Sequence, residues 1–207
     1  PKDKMQVVYN GTDLHRFIPH PAHTDTPLRL IYVGRIIRDK GIDLLLEALA
    51  ACPTDTPITL TLVGSDHGGY TEQMQALAAR LHLEDKVQFL GSRTDVPQLL
   101  QAADLFVHPA TCQEGFGITL IEAMASGVPC LAFPKGAIPE IIGPEIDGFL
   151  TEEVSAAALT AGINRALELF TKAPHHWHTL CKNARQKAEL FSIERTVAQL
   201  ETLYREQ

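Results

Sequence analysis

The sequence predicts an α/β protein built on a doubly wound, mostly parallel sheet. Short apolar segments of β-strand character alternate along the chain with segments whose apolar residues repeat at helical spacing. Several of the apolar segments end in glycine or proline, which marks the point where a strand gives way to a loop. Strands that each lead into a helix pair in parallel and are covered on both faces. Right-handed crossovers then give a Rossmann-like arrangement.

Each predicted strand is followed by a predicted helix. The first strand, LRLIYVG, precedes GIDLLLEALAAC, in which apolar residues recur three and four positions apart. Strands are predicted over residues 28–34, 58–64, 86–91, 104–109, 128–133 and 148–151. Helices are predicted over residues 41–52, 72–81, 96–102, 117–126, 138–142, 154–170, 177–191 and 193–205.

The first 27 residues differ in character from the rest of the chain. VVYNGTDLHRFIP, residues 7–19, predicts a short strand that runs into a turn at Asn10-Gly11. HPAHTDTP, residues 20–27, is polar, contains proline and predicts irregular structure. We therefore interpret residues 1–27 as a linker with a short strand from an interdomain junction, and residues 28–207 as the folded domain.

Composition excludes several classes of protein. Eighteen basic residues against 25 acidic ones give a net charge of −7, which argues against wholesale binding of nucleic acid or of an anionic membrane. No apolar run approaches the roughly 20 residues that a membrane-spanning helix needs, so any membrane contact is expected to be peripheral. The four cysteines, Cys52, Cys112, Cys130 and Cys181, have no CxxC spacing and indicate free, buried thiols in a cytoplasmic protein.

The loop after the first strand has the composition of an anion site. In GRIIRDKG, residues 34–41, Arg35 and Lys40 flank the turn, and Gly41 permits close backbone approach at the start of the next helix. Fixed cations, open N–H groups and a helix dipole are what a diphosphate needs. An ordinary solvated basic turn explains this motif alone equally well.

Two carboxylates bracket the stretch EGFGITLIE. Glu114 stands just before the predicted helix, where it can accept two hydrogen bonds from sugar hydroxyls. Glu122 lies more than one turn inside that helix beside apolar neighbours, and is expected to pair with a cation or with vicinal hydroxyls. The alternative makes Glu114 a partner of the helix dipole and Glu122 an exposed helical residue.

Several motifs occur together in order: NGTD…F.P, VGR….KG, LVG, V.FLG, L..AD.FV.P, EGFGITLIEAMASGVP and G.IPEII. The set resembles the C-terminal, donor-binding domain of GT-B retaining glycosyltransferases of group 1, also called glycosyltransferase family 4. The resemblance runs from about residue 7 to the C-terminus and is densest over residues 31–41 and 102–142.

The resemblance implies a role for each matching residue. Arg35 and Lys40 would hold the diphosphate of a nucleotide sugar, Glu114 would contact hydroxyls of the sugar, and these three would serve catalysis. Glu122 would bind the ribose, and Arg93 would lie against the base. The residues implied in donor binding are Gly34, Arg35, Lys40, Arg93, Glu114, Gly115, Phe116, Gly117 and Glu122.

Neither a metal nor a cofactor is expected. The sequence contains no Asp-x-Asp pair, which would hold a divalent cation against a diphosphate. Arg and Lys would neutralise the leaving diphosphate instead. The expected substrate is a UDP-, GDP- or ADP-sugar, and the expected acceptor is a saccharide or a lipid-linked saccharide in polysaccharide or lipopolysaccharide assembly.

The resemblance also implies a missing partner, because a GT-B enzyme has a second, N-terminal acceptor-binding domain. The isolated donor half is expected to bind nucleotide sugar and to be inactive in transfer. The alternatives are a non-catalytic nucleotide-binding or regulatory module on the same fold and an NAD-type dehydrogenase half, which the absence of GxGxxG after the first strand disfavours. His108, at the end of a strand, is equally consistent with a site residue and with a packed histidine.

Overall fold

The computed structural model describes residues 5–19, 27–53 and 55–205, in which six parallel strands form one sheet of order β3-β2-β1-β4-β5-β6. Each adjacent pair of strands is parallel. The strands are β1 (Leu28–Val33), β2 (Ile58–Val63), β3 (Val87–Gly91), β4 (Leu105–His108), β5 (Cys130–Ala132) and β6 (Gly148–Leu150). The predicted doubly wound, Rossmann-like fold is confirmed.

Eight α-helices are found in the described residues, close to the predicted ranges. They are α1 (Ile42–Ala50), α2 (Tyr70–Arg80), α3 (Val96–Gln101), α4 (Ile118–Ala125), α5 (Ile138–Ile141), α6 (Ala156–Lys172), α7 (Pro174–Ala188) and α8 (Ile193–Arg205). α7 begins three residues earlier than predicted, because Pro174 occupies its first turn with a preset backbone angle. α6 begins after Ser155, whose side chain accepts a hydrogen bond of 3.1 Å from the N–H of Ala158.

Apolar clusters cover both faces of the sheet, and its strands β4 and β5 are buried along their whole length. Alternate residues of β1 belong to different apolar clusters, with Leu30 and Tyr32 in one and Ile31 in the other. Helices α1, α2 and α6 contribute to the first cluster, and α3, α4 and α5 contribute to the second. This two-sided burial explains why the strands read as continuous apolar runs in the sequence.

The strand predicted within residues 7–19 is wrong. Residues 5–11 have no regular secondary structure, Asn10-Gly11 forms no turn, and a single 3-10 turn spans Leu14–Arg16. Thr12 makes an isolated bridge with Ser192. The segment lies against the junction before α8, where no sheet edge supplies the ladder of partners that a strand requires. Of the predicted irregular stretch 20–27, residues 20–26 lie outside the described part of the chain.

The last helix presents an apolar stripe to solvent. The apolar stripe of α8 is 39–76% exposed and consists of Ile193, Val197, Leu200 and Tyr204. Among the described residues, no helix combines the length and apolar character needed to cross a membrane.

All four cysteines are free thiols, as predicted. Cys52 and Cys130 are buried, whereas Cys112 and Cys181 are half-buried, so the prediction of burial holds fully for two of them.

Candidate functional site

A cleft of about 490 Å³ opens where the carboxyl ends of β1 and β4 meet. These adjacent strands are not consecutive in the chain, so they form the switch point at which ligands of doubly wound sheets bind. The cleft is lined by Tyr32, Val33, Gly34, Arg35, Lys40, His108, Glu114, Phe116, Gly117, Ile118 and Thr119. Six of the nine residues predicted to bind the donor therefore line one cavity.

The loops after β1 and β4 are joined by backbone contacts. The N–H of Thr111 donates to the carbonyl of Asp39 at 3.0 Å. Gly41 has φ of 65°, and a Cβ atom there would lie 2.1 Å from the carbonyl oxygen of Pro109. Only glycine tolerates both the backbone angle and this approach. The predicted close approach at Gly41 thus serves the second loop, and it brings Lys40 up to Glu114.

Glu114 forms the electrostatic centre of the cleft. Its Oε1 atom accepts from the ammonium group of Lys40, and the Nε2 atom of His108 lies 3.3 Å from the same oxygen. Both side chains of the salt bridge are about 85% buried, with 14% and 15% exposed. The neighbouring His108 ring, and after it Lys40, outweigh the opposing effect of burial and lower the pKa of Glu114 to about 2. Glu114 is therefore a carboxylate at any physiological pH.

Arg35 presents a second cation at the same cavity. The hydroxyl of Tyr32 donates to the Arg35 carbonyl at 2.7 Å, which fixes the turn after β1. Burial raises the pKa of Tyr32, so this hydroxyl keeps its proton. The Arg35 side chain is exposed and makes no ion pair within the described part of the chain. Its guanidinium is thus available to an anion.

The N-terminus of α4 completes the wall. Gly117 precedes the helix with φ of 95°, and no side chain caps it. Ile118 and Thr119, in the first turn, line the cavity, so the open N–H end of the helix faces it. The ring of Phe116 packs at 5.9 Å from Tyr9 and at 5.7 Å from Phe191, which anchors the preceding loop.

The loop after β5 supports Glu114 through contacts with its backbone. The N–H of Ala137 donates to the Glu114 carbonyl at 3.0 Å. Gly136 has φ of 57°, and a Cβ atom there would lie 2.0 Å from that carbonyl oxygen. This role of Gly136 could not be predicted from the sequence, because the contact joins segments that are separate in the chain.

Three predicted donor-site residues do not line the cavity: Arg93, Gly115 and Glu122. Arg93 is exposed after β3 and pairs with both oxygens of Asp95, at 2.8 and 2.7 Å. Glu122 is half-buried in α4, and burial raises its pKa against a small opposing effect of Arg16. Their assigned roles toward base and ribose stay predictions.

His108 is the residue that sequence reasoning left undecided and the structure places in the cleft. Its only signal in the sequence was its position at the end of a strand. No group of three or more His, Cys, Asp or Glu side chains suited to a metal ion is found among residues 5–19, 27–53 and 55–205. Metal-free chemistry stays a prediction.

Fold and site together define a class: doubly wound α/β domains whose switch point lies between cationic loops and a helix N-terminus. The family follows from a comparison with family models. The one described as Glycosyl transferases group 1 matches residues 16–187, and the chain belongs to this family.

Individual relatives agree with this assignment. The chain is 31% identical to N-acetyl-alpha-D-glucosaminyl L-malate synthase of Bacillus anthracis over 99% of its own length and 54% of the relative's. It superposes with a TM-score of 0.90 and 29% identity on Anabaena Alr3699/HepE in complex with UDP, covering 100% of this chain and 59% of that one. The same Anabaena protein has also been solved with UDP-glucose.

One similar structure has nearly the same extent as this chain. It is the C-terminal domain of a group 1 glycosyl transferase, LpcC, from Francisella tularensis, with a TM-score of 0.75, 21% identity, and coverage of 87% of this chain and 97% of that one. At this identity the likeness concerns the fold alone. The chain spans about half the length of the longer relatives it matches.

Proposed function

We propose that the chain is the donor-binding half of a retaining glycosyltransferase. The whole enzyme would move a hexosyl group from a nucleotide-diphosphate sugar to a saccharide or lipid-linked acceptor, in polysaccharide or lipopolysaccharide assembly at the cytoplasmic side of the cell. The observation that carries the proposal is the convergence of Arg35, Lys40 and Glu114 on one cleft beside the N-terminus of α4.

The cations suit the leaving diphosphate. Negative charge develops on the phosphate oxygen as the glycosidic bond breaks, and preorganised donors at that point lower the barrier. Arg35 has a guanidinium that makes no ion pair among the described residues, Lys40 has an ammonium group at the cavity wall, and α4 has an N-terminus without a side-chain cap. Together they supply the neutralisation that a metal ion gives elsewhere, so we propose metal-independent transfer.

Glu114 suits the sugar. A carboxylate that stays ionised accepts hydrogen bonds from hydroxyls, and its Oε2 atom makes no hydrogen bond with any of the described residues. Placing this acceptor beside the phosphate cations matches the order of groups in a nucleotide-diphosphate sugar. The UDP and UDP-glucose complexes of the Anabaena protein make uridine the first base to test.

The acceptor half is proposed to lie outside this chain. Relatives are about twice as long as the matched region, and transfer requires an acceptor hydroxyl held beside the anomeric carbon. The exposed stripe on α8 offers apolar surface to such a partner domain. We therefore expect binding without transfer from the chain alone.

Calorimetric titration of the chain with UDP, GDP and ADP tests the proposal. One of the three should bind, and Lys40→Ala should weaken that binding by about tenfold to 100-fold, the value of one or two charge-assisted hydrogen bonds. Lys172→Ala is the matched control, because that ammonium group is exposed at the end of α6, outside the cleft. No binding of any diphosphate, or equal losses in both variants, would refute the proposal.

A further inference from the structure

His108 is buried in a way that packing alone does not explain. It ends β4 with 4% of its surface exposed. Its ring stacks on Phe106, two residues earlier on the same side of the strand, with centroids 6.2 Å apart. Nevertheless, neither ring nitrogen makes a well-oriented hydrogen bond to any of the described residues. Buried polar atoms without partners cost free energy, so their presence calls for a reason.

The ring faces the proposed donor cleft. His108 lines that cavity, and its Nε2 atom lies 3.3 Å from Oε1 of Glu114. That distance is short enough for attraction, although the angle is not yet that of a hydrogen bond. A small rotation of either side chain would complete it. In unliganded binding sites, functional hydrogen bonds are often long or misaligned and tighten when the ligand binds.

In the ligand-bound protein, Glu114 and the diphosphate would compete for Lys40. In this structure its ammonium group contacts Oε1 of Glu114. Under the proposed function the same group is required by a diphosphate, which carries more negative charge than one carboxylate. When the diphosphate draws Lys40 away, the largely buried carboxylate of Glu114 loses its hydrogen-bond donor. A buried carboxylate without a donor is strongly unfavourable.

His108 is placed to take over. Among the described residues, Lys40 and His108 are the two nitrogen-bearing side chains that reach Oε1 of Glu114. Oε2 is thereby left out of both contacts. The carboxylate is thus anchored through one oxygen while the other remains open for a ligand.

We propose that His108 is a positioning residue for Glu114. Its Nε2–H holds Oε1 while a nucleotide diphosphate engages Lys40, so that Oε2 stays available to the hydroxyls of the donor sugar. This inference rests on the proposed function and deepens it, because it concerns the sugar half of the ligand. A purely packed histidine would instead contribute through its contact with Phe106 alone.

Two variants separate these alternatives. His108→Phe keeps an aromatic ring against Phe106 but removes the donor, whereas His108→Gln restores an N–H donor near the position of Nε2. The measurement is the ratio of the dissociation constants for UDP and UDP-glucose, determined by calorimetry on the full chain. GDP and GDP-mannose replace them if the chain selects guanosine.

The expected result is selective. His108→Phe should weaken UDP binding, because Glu114 then has no donor once the diphosphate takes Lys40, and should weaken UDP-glucose binding by about tenfold more, the value of one charge-assisted hydrogen bond. His108→Gln should recover most of that loss. In a Glu114→Gln background, His108→Phe should change the ratio no further. An unchanged ratio, or equal losses for UDP and UDP-glucose in both variants, would overturn the proposal.

A measurement on the unmodified chain guards against variants that fail to fold. Long-range ¹H–¹⁵N NMR of the His108 ring, with UDP bound, should show the hydrogen on Nε2. A ring carrying its only hydrogen on Nδ1 would present a lone pair to the carboxylate and would sink the inference. Absence of any nucleotide binding would be a different failure, that of the proposed function itself.

Discussion

Glu114 and Glu122 flank the start of the same helix, yet their surroundings act on them in opposite directions. Glu114 lies before α4 with Lys40 and His108 at one of its oxygens, and these neighbours lower its pKa to about 2. Glu122 lies within α4, where burial raises its pKa against the opposing effect of Arg16. One carboxylate is stabilised by the protein, and the other is held at a cost.

The difference indicates how each acid relates to a ligand. Glu114 is already placed by the protein, so a ligand would exploit a group that is ionised in advance. Glu122 lacks such support among the described residues and gains most from partners that arrive with a ligand, such as the vicinal hydroxyls predicted from the sequence. Groups that lower stability in the free protein are often retained for function.

Displacing Glu114 alone gives the most direct test of the contrast between Glu114 and Glu122. Gly136→Ala puts a methyl group against the Glu114 carbonyl and forces a non-glycine residue into a left-handed conformation. We expect a loss of about 1–3 kcal/mol in the free energy of unfolding, together with weaker binding of UDP-glucose relative to UDP. Urea denaturation and calorimetry provide the two measurements.

The control is Gly68→Ala, at a position with φ of 73° where a Cβ atom meets nothing within 4 Å. It carries the same backbone strain without touching Glu114. If both variants alter UDP-glucose binding equally, the support that the loop after β5 gives to Glu114 has no functional meaning.

The fold was predictable to a degree that the site was not. The six strands alternate with helices so regularly that their number and approximate bounds follow from periodicity alone. The strand predicted near residue 7 does not form, although the segment is apolar and contains β-branched residues. The segment lies against the junction before α8, where it has no neighbouring strand to pair with among the described residues.

The site required contacts that no local pattern encodes. Arg35, Lys40 and Glu114 could be predicted from loops at strand ends, because parallel strands bring those ends together. Two contacts depend on how three separate loops pack: that of Gly136 with the backbone of Glu114, and that of His108 with Oε1 of Glu114. Strand alternation places His108 on the same side as Phe106, but it does not show that Glu114 lies there, so the role of His108 stayed open.

A second prediction compares the two carboxylates directly by removing each charge. At about pH 7, Glu114→Gln should lower the free energy of unfolding by about 1.5–3 kcal/mol, because it takes the charge from a largely buried salt bridge. Glu122→Gln should raise it by about 0.5–2 kcal/mol, since the amide carries no desolvation penalty for charge. Urea denaturation of the three proteins measures both. Destabilisation by Glu122→Gln would mean that this acid has a structural partner after all.

The smallest and most specific predicted effect is a pH dependence. It concerns the two differences in stability, between wild type and Glu114→Gln and between wild type and Glu122→Gln. The folded-state pKa of Glu114 is below its ordinary value of 4.5, so its stabilising contribution is complete above that value and is lost only as the pH falls toward about 2. The folded-state pKa of Glu122 is raised, so its penalty is complete above the raised value and disappears as the pH falls through 4.5. On acidification, the advantage of Glu122→Gln over wild type should therefore vanish first, by about pH 4, while the deficit of Glu114→Gln persists below about pH 3. Thermal unfolding of wild type and both variants across this range checks the order. If the two differences faded together, the carboxylates would share one environment, and the contrast between an acid supported by the protein and one held at a cost would be lost.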